Sequence, residues 1–202
     1  MTDMSTTGSI GARSIGARFL ERSTNLRNNV QSGLRARRSG AASFGPQPLL
    51  RGKLCFRFDG TVTIGARFDA DGLIMPVSIS VVEGATLSIG DDLYMNAGTS
   101  IEVWHDVRIG SNCLFGPFAS VIDDDRHEVE PGAILHKGPT ILGNNVWLGR
   151  SAAVMPGVTV GDGSVIGANS VVTRDIPPNS FAAGAPARVI RKLELPDGWV
   201  RR

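Results

Sequence analysis

From Leu142 onward the chain repeats with a period of six: LGNNVW, LGRSAA, VMPGVT, VGDGSV, IGANSV, VTRDIP. An aliphatic residue leads each hexad, as Leu142, Leu148, Val154, Val160, Ile166 and Val172. Gly143, Gly149, Gly161 and Gly167 fill the second place of four of them, and Val146, Ala152, Val158, Ser164, Ser170 and Ile176 fill the fifth. An α-helix has no period of six, and a simple alternating strand does not bring glycine back at every third pair. The pattern predicts an all-β solenoid in which each hexad is one short strand plus a corner. The aliphatic residue points into a shared core, the small residue fits beside it, and Gly or Asn relieves the bend. Three such sides close one triangular coil of about 18 residues, and coils stack at about the 4.8 Å spacing of parallel strands.

The frame recurs upstream in IGDDLY from Ile89, MNAGTS from Met95, IGSNCL from Ile109 and FGPFAS from Phe115, with Ile101 and Val121 as further leading residues. Cys113 takes a fifth position and reads as a small core residue. TVTIGARF and ATLSIGDD suggest further coils nearer the amino terminus. Between Val121 and Thr140 the repeat stops, so 122–139 must leave the solenoid as a loop, and loops on rigid scaffolds often carry function.

Composition narrows the class. The 202 residues, 42% of them hydrophobic and 20% charged, suit one globular unit, and no apolar run approaches the roughly 20 residues that span a bilayer. The 25 glycines and 11 prolines favour corners over long helices. Cys55 and Cys113 make no metal-knuckle or redox pair, and no apolar stretch near the amino terminus reads as a secretion signal, so a cytoplasmic protein is expected. Residues 1–53 hold nine Lys or Arg against two acids, in a chain whose net charge is only +2. Ile15, Phe19, Leu26, Val30 and Leu34 recur at near-helical spacing, so 1–48 is expected to be a basic, partly helical or disordered arm, with 40–48 as linker. Such an arm suits packing on a subunit or peripheral contact with an anionic membrane. Nucleic-acid binding is not expected, because basic and aromatic residues do not interleave.

The run from Pro139 to Leu193, with IGDDLYMNAGTSI and IGSNCLFGPFASV before it, resembles the hexapeptide-repeat acyltransferases, particularly the maltose, galactoside and polysaccharide O-acetyltransferases. The resemblance implies a left-handed parallel β-helix over 49–185, an exception to right-handed crossovers, followed by a tail over 186–202. It implies a homotrimer with acetyl-CoA bound between subunits, no metal, and acetyl transfer to a sugar or polysaccharide hydroxyl in a ternary complex. His127 in the interrupting loop then corresponds to the family's general base, work that suits an imidazole near neutral pH. For the donor the resemblance carries over to Trp147, Gly149, Ala168, Thr173, Arg174, Arg188 and Arg191, with Arg150 standing where relatives often have a small residue. For the acceptor it points to Asn96, and Asp125 and Glu128 stand beside the base. The same scaffold also serves N-acylation of amino sugars and antibiotic-modifying acetylation. A metal-dependent β-helix anhydrase would need three suitably spaced histidines, and His105, His127 and His136 lack that spacing. A non-catalytic scaffold is the remaining class, since fold alone does not establish activity.

Overall fold

The computed structural model describes residues 42–128 and 130–201. The predicted helical arm lies outside the described residues, apart from its last few positions. Those positions depart from the expected linker: Ala42–Phe44 is a strand paired in parallel with Thr61–Ile64, so the solenoid begins there.

The described residues form an all-β solenoid of about seven turns, with the predicted three sides. On the first side Phe44, Ile64, Ile89, Ile109, Leu142 and Val160 stack in register, and a parallel bridge adds Ile176. On the second, Leu50, Ala70, Met95, Phe115, Leu148, Ile166 and Ala182 stack likewise. On the third, Phe56, Ile79, Ile101, Val121, Val154 and Val172 do so. Apart from Ile176, a fifth-place residue, these stand in the leading place of their rungs, and all except Phe44 and Phe56 are buried. Every coil thereby covers the polar backbone edge of its neighbour, which leaves only the two ends to be closed. At the amino-terminal end Phe44, Phe56, Phe58 and Phe68 pack with ring centroids 5.6 to 6.3 Å apart. At the other end Ser180–Gly184 pairs antiparallel with Ala187–Lys192, so the expected tail opens with the second strand of a capping hairpin.

The corners divide the labour differently from the sequence expectation. The second-place glycines serve close approach between coils: a Cβ on Gly143 would lie 2.0 Å from Asp162 Oδ1, and one on Gly161 2.4 Å from the Pro178 nitrogen. The left-handed conformation falls two residues later. At the corner between the first and second sides Gln47, Arg67, Asp92, Asn112, Asn145, Gly163 and Asn179 form a column with φ from 53° to 70°. Three are asparagines, which tolerate this region better than most residues. The column is tied vertically, with the Arg67 amide donating to Pro46 O, Asp92 to Ala66 O, Asn112 to Asp91 O and Asn145 to Ser111 O, at 2.8 to 2.9 Å. Cys113 is fully buried as expected, its thiol 3.2 Å from Gly143 O. Among the described residues no helix is long and apolar enough to cross a membrane.

Candidate active site

The interrupting loop leaves the third side after Ile122 and returns at Thr140, as predicted. Its root is built from groups the sequence reading passed over. Asp123 is fully buried, and its carboxylate accepts the consecutive amides of Trp104, His105 and Asp106 at 2.8, 2.8 and 2.7 Å. Three donors offset the cost of burying a charge there. Asp124 Oδ2 lies 2.8 Å from His105 Nε2, and its Oδ1 accepts the Arg126 amide at 2.7 Å. Burial raises the Asp124 pKa, but the hydrogen bonds from His105 and Arg126 outweigh it and hold the carboxyl below its ordinary value. The Arg126 guanidinium lies 3.5 Å from the centroid of the Trp104 ring, a cation–π contact. An antiparallel bridge from Asp124 to Lys137, with Asp125 donating to His136 O, ties the two loop stems together.

From this root the loop presents His127. Its amide donates to Asp125 O at 2.8 Å, while the exposed imidazole has no hydrogen bond or ion pair among the described residues. The imidazole oriented by a carboxylate is that of His105, just below the loop root. Glu128 accepts the Gly132 amide at 3.1 Å and so shapes the loop. Asp125 is half-buried and His136 is exposed.

All the remaining predicted residues except Thr173 and Arg174 fall on a different edge. Trp147 stands on the outer face of the second side, 44% exposed. At the corner that follows, register stacks Asn96, Gly116, Gly149 and Gly167, then Arg150 over Ala168. The Gly149 Cα faces the next coil so closely that a Cβ would sit 2.8 Å from the Ala168 nitrogen. The amides of Arg150 and Ala168 donate to nothing among the described residues, so this corner offers two free N–H groups beside an exposed indole. Arg188 and Arg191 lie on the capping hairpin above, both exposed, with Arg191 5.9 Å from the Phe181 ring. Asn96 Oδ1 accepts the Ala97 amide at 2.7 Å, which leaves its Nδ2 without a partner among the described residues. Thr173 and Arg174 follow the third side and are exposed at the corner that carries the loop root two coils below. Within one chain, therefore, Asn96, Trp147, Gly149, Arg150, Ala168, Arg188 and Arg191 share one edge. Asp125, His127, Glu128, Thr173 and Arg174 share another. Among the described residues no three His, Cys, Asp or Glu side chains are grouped to hold a metal ion.

Comparison with known proteins agrees with this architecture. Residues 139–174 match the family described as bacterial transferase hexapeptide (six repeats). The galactoside O-acetyltransferase of Escherichia coli (strain K12) is 42% identical over 113 residues, which are 54% of this chain and 56% of that protein. The chain thus spans about half the length of that relative. A solved galactoside acetyltransferase in complex with coenzyme A superposes with a TM-score of 0.53 and 29% identity over 89% of this chain and 80% of that one. A hexapeptide-repeat-containing acetyltransferase of Vibrio cholerae O1 biovar eltor, complexed with acetyl coenzyme A, shares the fold alone, with a TM-score of 0.56 and 22% identity over 90% and 91% of the two chains. With the six-residue period, the seven-turn solenoid and the interrupting loop, these likenesses converge: the chain carries the hexapeptide repeat of the bacterial transferases over residues 139–174 and is similar to hexapeptide-repeat acetyltransferases in sequence and fold.

Proposed function

We propose that the protein is an acetyl-CoA-dependent O-acetyltransferase acting on a sugar or polysaccharide hydroxyl. The observation that carries the reading is the edge at Trp147, where the free amides of Arg150 and Ala168 stand below a row of exposed guanidinium groups. Amide donors suit the carbonyls of a pantetheine arm, an indole suits its apolar stretches, and the guanidiniums of Arg188 and Arg191, joined by Arg174 from the other edge of an adjacent copy, suit phosphates. Named relatives include a galactoside O-acetyltransferase and a galactoside acetyltransferase solved with coenzyme A, which supports both donor and acceptor class.

In this reading the acceptor hydroxyl attacks the thioester carbonyl directly and His127 takes its proton as the C–O bond forms. A backbone N–H holds the negative charge of the tetrahedral intermediate. Collapse breaks the C–S bond, and the imidazolium returns the proton to the departing thiolate, giving ester and free thiol. His127 and the Trp147 edge lie on different edges of one prism, so the complete site is read as shared between adjacent copies of a left-handed helix in a homotrimer. Asn96 faces the acceptor in this arrangement, and Asp125 and Glu128 support the loop around the base.

Calorimetric titration with acetyl-CoA tests the donor half, and saturation at about one per chain is expected. His127→Ala is expected to bind acetyl-CoA as the unaltered chain does while losing at least 10²-fold in turnover, within the usual range for a general base. Full turnover by His127→Ala overturns the assignment of the base, and absence of acetyl-CoA binding overturns the function.

A further inference from the structure

The outer face of the second side carries one column in register: Asp69, Tyr94, Leu114, Trp147, Val165 and Phe181. The end of the chain returns to this column along the neighbouring left-handed corner. Leu193 donates to Asn179 O at 2.6 Å, and the Leu195 side chain lies against Gly163 one coil lower. One coil lower again, Asn145 grips the strap at two points: its Nδ2 donates to Trp199 O at 3.1 Å and its Oδ1 accepts the Arg201 amide at 2.9 Å. The Arg201 guanidinium then donates to Gly163 O at 2.8 Å and to Asn145 O at 3.3 Å, and lies 4.9 Å from the Trp199 ring.

The descent leaves a slot of about 190 Å³ between Leu114, Trp147, Trp199 and Arg201. Both indoles keep exposed surface, 44% for Trp147 and 42% for Trp199. Arg201 Nη1 has no partner among the described residues, and partial burial lowers the guanidinium's pKa. The slot is smaller than the roughly 300 Å³ at which pockets for whole drug-sized ligands begin, and holds the liquid volume of about six waters. It therefore suits one ring rather than a chain. Indole faces offer apolar contact to axial C–H groups, and a guanidinium edge offers donors to ring hydroxyls. Along the same column the next coils present Tyr94 and then Asp69, with Asp71 two residues on; Arg51, the partner of both acids, has a buried Nε without a hydrogen bond among the described residues. The face thus continues as hydroxyl-binding chemistry.

We propose that this slot is a pyranose subsite. Trp199, brought back by the strap, stacks on one sugar ring of the acceptor beside the Trp147 edge, and Arg201 hydrogen-bonds its hydroxyls. The proposal rests on the acetyltransferase reading for the identity of the ligand as acceptor. Its measurable content is separate, because pyranoside binding needs no donor.

The test uses the full chain with methyl and phenyl β-galactopyranosides and β-glucopyranosides, followed by calorimetry and ligand-observed NMR. Saturable binding of at least one pyranoside is expected, weakened tenfold or more in Trp199→Ala and less than threefold in Trp199→Phe. Acetyl-CoA affinity is expected to stay within twofold in both variants. No pyranoside binding by the unaltered chain, or equal binding by Trp199→Ala, overturns the subsite while leaving the donor reading intact. Loss of acetyl-CoA binding in Trp199→Ala gives the slot to the donor and overturns it equally. Pyranoside binding that depends on Trp199 in a chain that binds no acetyl-CoA upholds the subsite and removes the transferase function.

Discussion

Asp123 and Asp124 adjoin in sequence and do different work. Asp123 is sealed under three amides, so Asp123→Ala removes the acceptor of three charge-assisted hydrogen bonds and strands their donors. A loss of about 3 kcal/mol or more is expected, read as a fall in thermal midpoint. Asp124 is a pH-dependent latch. Because its folded pKa is depressed below the ordinary 3.8, its contribution is complete above that value and is lost as pH falls through the lower folded value. Hydrogen exchange or proteolysis of 122–139 is therefore expected to quicken below about pH 4, and Asp124→Asn should show that faster exchange already at neutral pH. Cys113 offers a contrast. Burial pushes its thiol up to about 11, whereas Cys55 is exposed, so an alkylating reagent at pH 8 should label one thiol per folded chain and two in denaturant.

At the scale of the element, the hexad is a rung whose places carry separate physical demands. Gly143 and Asn145 stand in one corner and answer to different forces. Gly143→Ala drives a methyl against Asp162 and is expected to cost about 1–3 kcal/mol by overpacking. Asn145→Gly keeps the left-handed corner but gives up both strap bonds, so denaturation should show little loss while protease trims 193–201 faster. The aliphatic leads and second-place glycines were legible because each is repeated in register. The loop was legible as the place where repetition stops. Its root was not, because Asp123, Asp124, His105 and Trp104 are joined across the stacking of one coil on the next and share no spacing. The slot was hidden for a similar reason: Trp199 meets Trp147 across more than fifty residues of chain, through a strap with no repeat of its own.

For the whole molecule, the two groups of candidate residues on different edges of one prism make a prediction about assembly. If a site is completed between copies, chains bearing His127→Ala and chains bearing Trp147→Ala should each be inactive alone and regain part of their activity when co-expressed and co-purified. Complementation is read as turnover per mixed oligomer, and its absence would confine each site to one chain. The coils from Ile89 onward were readable from periodicity, since each interacts chiefly with its neighbours, whereas the opening strand Ala42–Phe44 lay in the stretch expected as linker. The relation between chains was not, because nothing in a repeat states which of its edges faces another copy.

The paired stems of the interrupting loop have a consequence for how such a protein changes over time. Ile122 and Thr140 belong to consecutive rungs, and the Asp124 to Lys137 bridge closes the excursion before it leaves the prism. Beyond that bridge, the stretch between His127 and Lys137 is a cassette. Segments of other lengths and chemistries can be exchanged there without disturbing the coil below or above, so the surroundings of the proposed base can be varied on an old scaffold through a single insertion point.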